Sequence, residues 1–124
     1  MSLPQSNRLK RRQDFSAVYQ GGIRRSTANI TLRALNKQGH LNHSSHSPAL
    51  PTQIGISVSQ KVSKRAVVRN RLKRQIRAAL RRFLPQLPLG WQLVVVVRPP
   101  AVQCDYHQIL RELEQLLADA EVLR

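Results

Sequence analysis

Residues Lys64 to Phe83, KRAVVRNRLKRQIRAALRRF, carry nine Lys or Arg in twenty positions and no acid. At 100° per residue, Val68, Leu72, Ile76, Ala79, Leu80 and Phe83 gather into a stripe covering about one third of a helix, with cations around the remainder. Such a helix can fold in one manner, stripe down on an apolar layer and cations outward. Arg65 falls inside the stripe, so the regular helix is expected to start at about Ala66, with Ser63 as its cap. Like charges four apart, as in Arg69, Lys73, Arg77 and Arg81, repel by a few tenths of a kcal/mol per pair. Asn70 costs several tenths more relative to alanine. A helix built only for solubility would mix in glutamate, so the missing counter-charge is expected on another molecule. The plain alternatives are a solvated face or an anionic membrane surface.

Charge elsewhere in the chain supports that reading. The formal net charge is +15, and five of the six acids, Asp105, Glu112, Glu114, Asp119 and Glu121, follow residue 104. Asp14 alone faces 19 Lys or Arg among the first 104 residues, a field suited to nucleic acid. At 124 residues the chain is expected to form a single RNA-binding domain, 1–124, with 41% hydrophobic and 4% aromatic residues making an aliphatic core. One cysteine, Cys104, excludes an intramolecular disulfide and makes a cytoplasmic location the default. The longest apolar run, Leu93 to Val97, is far short of the roughly 20 residues a membrane span needs, so no membrane partner is expected.

Phe15, Val18 and Tyr19 share one face of a short helix that Gly21 and Gly22 end. Ser26 to Leu35 alternates as a strand, and Gln53 to Ser59 as a second, whose Gly55, Ser57 and Ser59 leave a low floor suited to a groove. Between them, Asn36 to Thr52 reads as a flexible loop rich in Gly, His, Ser and Pro. Pro85, Pro88 and Gly90 end the basic helix. Trp91 to Val97 is a buried strand, expected to run parallel to an earlier one through that helix. Asp105 opens a last amphipathic helix packing through Ile109, Leu110, Leu113, Leu116, Leu117 and Ala120. The expectation is an α/β fold, an α+β sandwich of order αββαβα, with a mixed sheet of three to four strands and helices on one side.

The chain has little chemistry of its own. Metal-dependent phosphodiester hydrolysis needs clustered carboxylates, and Asp14 stands alone near the basic surface. His40, His43 and His46 recur every three residues in a loop without a further ligand, and His107 has no partner arranged for a triad. Phe15, Tyr19 and Arg33 could stack on unpaired bases. Phe15 and Tyr19 could equally be packing residues of the first helix.

The stretch RNRLKRQIR, Arg69 to Arg77, preceded by IGISVSQKVSKRAVV, closely resembles the protein component of bacterial ribonuclease P. NRLKRRQDFSAVY near the start and VVVVRPPA near the end agree in order, and the likeness spans about Asn7 to Leu117. The resemblance implies a subunit of a ribonucleoprotein endonuclease that removes the 5′ leader of precursor tRNA. Catalysis then belongs to the RNA subunit, with Mg2+ held mainly by that RNA and the substrate and none by the protein alone. It further implies that the catalytic RNA is bound by Lys64, Arg65, Arg69, Asn70, Arg71, Lys73, Arg74 and Arg77. A cleft between the first helix and the sheet would hold the leader through Phe15, Tyr19, Arg33, Ser57 and Lys61. On the first strand, where the family commonly carries aromatic residues, this chain has Ile30 and Arg33. The family's β-α-β crossover is left-handed, against the right-handed rule that holds in about 98% of cases. A structural RNA-binding protein of ribosomal type is the rival reading, and a self-sufficient nuclease a third.

Overall fold

The computed structural model describes residues 3–36 and 51–123. Its elements are α1 (Arg12–Gly21), β1 (Ile23–Ser26), β2 (Ile30–Asn36), β3 (Gln53–Ser57), α2 (Ala66–Phe83), β4 (Trp91–Val97) and α3 (Tyr106–Asp119). The strands form one mixed sheet in the order β1-β2-β4-β3, antiparallel except for the parallel β3–β4 pair. The expected single strand from Ser26 to Leu35 is corrected to a hairpin. Thr27 turns the chain by donating its N–H to Ile30 O at 2.8 Å, and β1 precedes it as a fully exposed edge strand. Arg24 and Arg25 hide the alternation that would have revealed β1, because neither of its faces is buried. Of the proposed loop, residues 37–50 lie outside the described residues.

Burial follows the expected stripes. On α2, Leu72, Ile76, Ala79, Leu80 and Phe83 are buried; on α3, Ile109, Leu113, Leu116 and Leu117. They meet Ile30, Leu32, Ala34, Ile54, Leu93, Val95 and Val97 in one core. Each fully buried Leu or Ile contributes about 1.5–3 kcal/mol relative to exposure. The one-sided arrangement of helices holds for α2 and α3 but not for α1, which packs Val18 on Leu35 and Val94 across the opposite face. Val18 is what decides this, since the sheet turns Leu35 and Val94 away from the main core. The start of α2 also differs from expectation. Arg65 is its N-cap and lends no side-chain bond, while Ser63 Oγ accepts from Arg65 N two residues earlier. Gly90, with φ 91°, makes the left-handed turn into β4 that a side chain would oppose.

The crossover from β3 through α2 to β4 is left-handed, and stereochemistry fixes the sign. Viewed from its side chain with the strand running upward, an L-residue carries its N–H and C=O to the right. Ile54 points its side chain into the core beneath α2 and accepts at its C=O from Leu9 N at 3.0 Å. The N-terminal segment therefore lies to the right of β3, and β4, paired on the other edge, lies to the left. A chain that rises along β3, passes over the front through α2 and re-enters on the left turns left-handed.

Acid in α3 is used internally. Glu112 accepts from Asn29 Nδ2 at 2.6 Å and from the Thr27 hydroxyl, tying the β1–β2 turn to the helix. Asn29 is buried, so Glu112→Ala leaves its amide unsatisfied and is expected to cost about 1–3 kcal/mol. Thermal unfolding should show the loss as a melting temperature several degrees lower. Burial, then the charges of Glu112 and Asp105, push the Cys104 thiol above its ordinary pKa, which keeps it protonated and unreactive.

Candidate nucleic-acid interface

The register aligns side chains in rows across the sheet face that carries α1. Ser57, Val96, Thr31 and Ser26 are successive partners in one row, and Gly55, Val94, Arg33 and Arg24 in the next. Helix α1 stands on the second row through Phe15 and Tyr19, one turn apart. Phe15 rests on Gly55, where a Cβ would lie 2.6 Å from its Cε1 atom. The Arg33 guanidinium lies 4.9 Å from the centre of the Tyr19 ring, and its Nη1 donates to Tyr19 O at 3.4 Å. What results is a groove with an aromatic and cationic wall. Its floor is the first row, small side chains of which Ser26 and Thr31 share a 3.0 Å hydrogen bond. A chain of bases can lie on such a floor with ring faces against the wall.

The sequence-derived cleft residues divide accordingly. Phe15, Tyr19, Arg33 and Ser57 come together on this face. Phe15 is half-buried and packs against Leu9, Val18, Leu35 and Val94, so it is core residue and wall at once. Tyr19 is 40% exposed, enough to present a ring edge to a ligand. Lys61 is exposed in the turn beyond β3, its N–H donating to Ser59 Oγ at 3.3 Å. Ile30, by contrast, is fully buried on the far face and is no part of the groove. Thr31, Val96 and Ser26 were not foreseen, since they become neighbours only through strand register. Arg98 was also missed. It follows β4 on the groove side, is exposed, and donates from Nη1 to Thr27 O at 3.0 Å.

Helix α2 likewise sorts its cations. Asn70 and Arg74 are exposed, and with Val67 and Arg77 they line a shallow hollow of about 400 Å³. Lys64 and Arg65, just before the helix, are exposed as well. Arg69 and Arg71 are half-buried and occupied within the fold, Arg69 Nη1 donating to Ser63 O and Arg71 Nη2 to Val102 O, each at 2.8 Å. The outward face is thus Asn70, Arg74 and Arg77, with Lys73 turned toward the edge of β3. Val67, 72% exposed, is an apolar side chain set among these polar groups, which charge counting passes over. Among the described residues no group of three or more His, Cys, Asp or Glu could hold a metal ion, and His40, His43 and His46 lie outside them. No described helix is long and apolar enough to cross a membrane.

A family profile for ribonuclease P matches residues 3–121. The chain belongs to the ribonuclease P protein family. Ribonuclease P protein components from Cyanothece sp. and Trichormus variabilis are 56% and 52% identical to it, over 94% and 99% of this chain and 93% and 97% of theirs. The solved ribonuclease P protein of Staphylococcus aureus superposes with a TM-score of 0.80 at 28% identity, covering 97% of this chain and all of that one. Membership makes the chain a protein component of a tRNA-processing ribonucleoprotein endonuclease. For a ribonuclease P protein, the groove and the outward face of α2 are two separate basic surfaces on one small domain.

Proposed function

We propose that the chain joins two RNAs in the cytoplasm, the catalytic RNA subunit on the outward face of α2 and the 5′ leader of precursor tRNA in the groove under α1. The observation that carries this reading is the row of Ser57, Val96, Thr31 and Ser26 walled by Phe15 and Tyr19, small side chains beside ring faces on which unpaired bases can stack. Hydrolysis is the work of the RNA subunit, and the protein alone is inactive. Asp14 is the single acid before residue 105, so carboxylates to hold paired divalent ions are lacking on the basic surface, and RNA phosphates are the natural ligands for Mg2+. The protein's contribution is electrostatic and positional: cations offset repulsion between leader and catalytic RNA, and a held leader keeps the scissile bond in place.

Leader removal by catalytic RNA at low magnesium, with and without the purified chain, tests this. Stimulation by the protein, together with no cleavage by protein freed of RNA, is the expected result. Tight RNA binding with cleavage unchanged would instead identify a structural RNA-binding protein, and cleavage by the bare protein a nuclease in its own right.

A further inference from the structure

Strand β3 is an edge strand that is only half covered. Beside its first half, Leu9 N donates to Ile54 O and Arg8 is the parallel bridge partner of Ile54, after which the chain leaves to begin α1. Alternate residues of a strand direct their backbone groups to the same edge. Ile56 therefore turns its N–H and C=O outward beside Ile54, and neither group has a backbone partner among the described residues. A hollow of about 490 Å³ opens there, with Phe15 and Gly55 at one end and Lys73 and Arg77 of α2 at the other. Lys10 closes it from the N-terminal segment, and its described lining holds no acid. The side chains of Lys10, Lys73 and Arg77 make no hydrogen bond or ion pair to the described residues.

We propose that this open edge of β3 is a phosphodiester subsite, which carries an RNA strand between the groove under α1 and the outward face of α2. The inference rests on the RNA-binding reading above and extends it to a third surface. Ile56 N–H is a donor for a phosphate oxygen, and its C=O an acceptor for a ribose 2′-hydroxyl. Lys10 and Lys73 neutralise the charge that strand brings. An added peptide strand fits less well, because one N–H and C=O pair is too short for a ladder and the surrounding cations would demand an acid at nearly every position.

The same phosphodiester chemistry could come from the leader or from the catalytic RNA, and two arms separate them. The holoenzyme is assembled from the full chain, catalytic RNA, and precursor tRNA carrying a short or a long leader. Lys10→Gln with Lys73→Gln is expected to reduce the logarithmic salt slope of binding by about 1.4, the value for two contacts on a single strand. Ile56→Pro removes the donor without touching charge, at an outward edge position where proline is tolerated, and should weaken the same complex by about tenfold with its slope intact. Loss confined to long leaders assigns the edge to the leader; loss of catalytic-RNA affinity at either leader length assigns it to that RNA. Should the double glutamine variant keep its affinity and slope toward both RNAs, the subsite is refuted, and this holds even where Ile56→Pro does not fold. Failure of the unaltered chain to bind either RNA would count against the parent reading instead.

Discussion

Gly55→Ala is expected to weaken binding of leader-bearing precursor tRNA by about 5- to 150-fold, the worth of one base–aromatic stack, and to leave mature tRNA unaffected. The new methyl group would lie 2.6 Å from Phe15 Cε1 and 3.4 Å from Leu9 Cβ, so the ring at the far end of Phe15 is what must move. It moves off Gly55 and takes its stacking face out of the wall of the groove. Some stability is lost as well, about 1–3 kcal/mol for an overpacked contact, because the displaced ring is packed on the cluster of Leu9, Val18, Leu35 and Val94. Phe15→Ala should lose the same leader affinity and melt lower still, since it removes the ring from the cluster of Leu9, Val18, Leu35 and Val94 altogether. Binding assays with and without a leader, paired with thermal unfolding, check both variants. Equal losses for precursor and mature tRNA would mean that Phe15 serves packing alone.

On α2, neutralising Arg74 and Arg77 together to glutamine should lower affinity for the catalytic RNA by about 30-fold near 0.15 M salt. It should also shrink the salt slope by about 1.8, the signature of two lost phosphate contacts on a duplex. Arg71→Gln is expected to behave differently although it belongs to the same basic run. Its Nη2 is spent on Val102 O, so the cost is stability, roughly 1.5 kcal/mol for a charge-assisted bond, with the slope unchanged. Titrations at several salt concentrations resolve the two outcomes. A reduced slope for Arg71→Gln, or an intact one for the Arg74 and Arg77 variant, would overturn this division of the helix.

The amphipathic division of α2 was legible because it depends on residue spacing within one helix. Leu72, Ile76, Ala79, Leu80 and Phe83 had to face inward wherever the helix lay, and the excess of arginine without acid pointed to an external anion. The same holds for α3 and for the buried run of β4. Membership of a family was legible too, in the stretch from Ile54 to Arg77. What local spacing cannot carry is which distant residues become neighbours. The row of Ser57, Val96, Thr31 and Ser26 exists because three strand pairings share one register, and a slip by one residue would send each side chain to the other face. Likewise, nothing within Arg69 to Arg77 separates an arginine bound to its own backbone from one that is free, since Ser63 O and Val102 O are brought there by folding. The sequence by itself determined which helix faces are apolar and where the positive charge is concentrated, because both follow from side-chain chemistry at fixed helical intervals. The tertiary structure alone decided which side chains floor the groove and that the edge of β3 stays open, because those depend on strand register and on which backbone groups have already found partners.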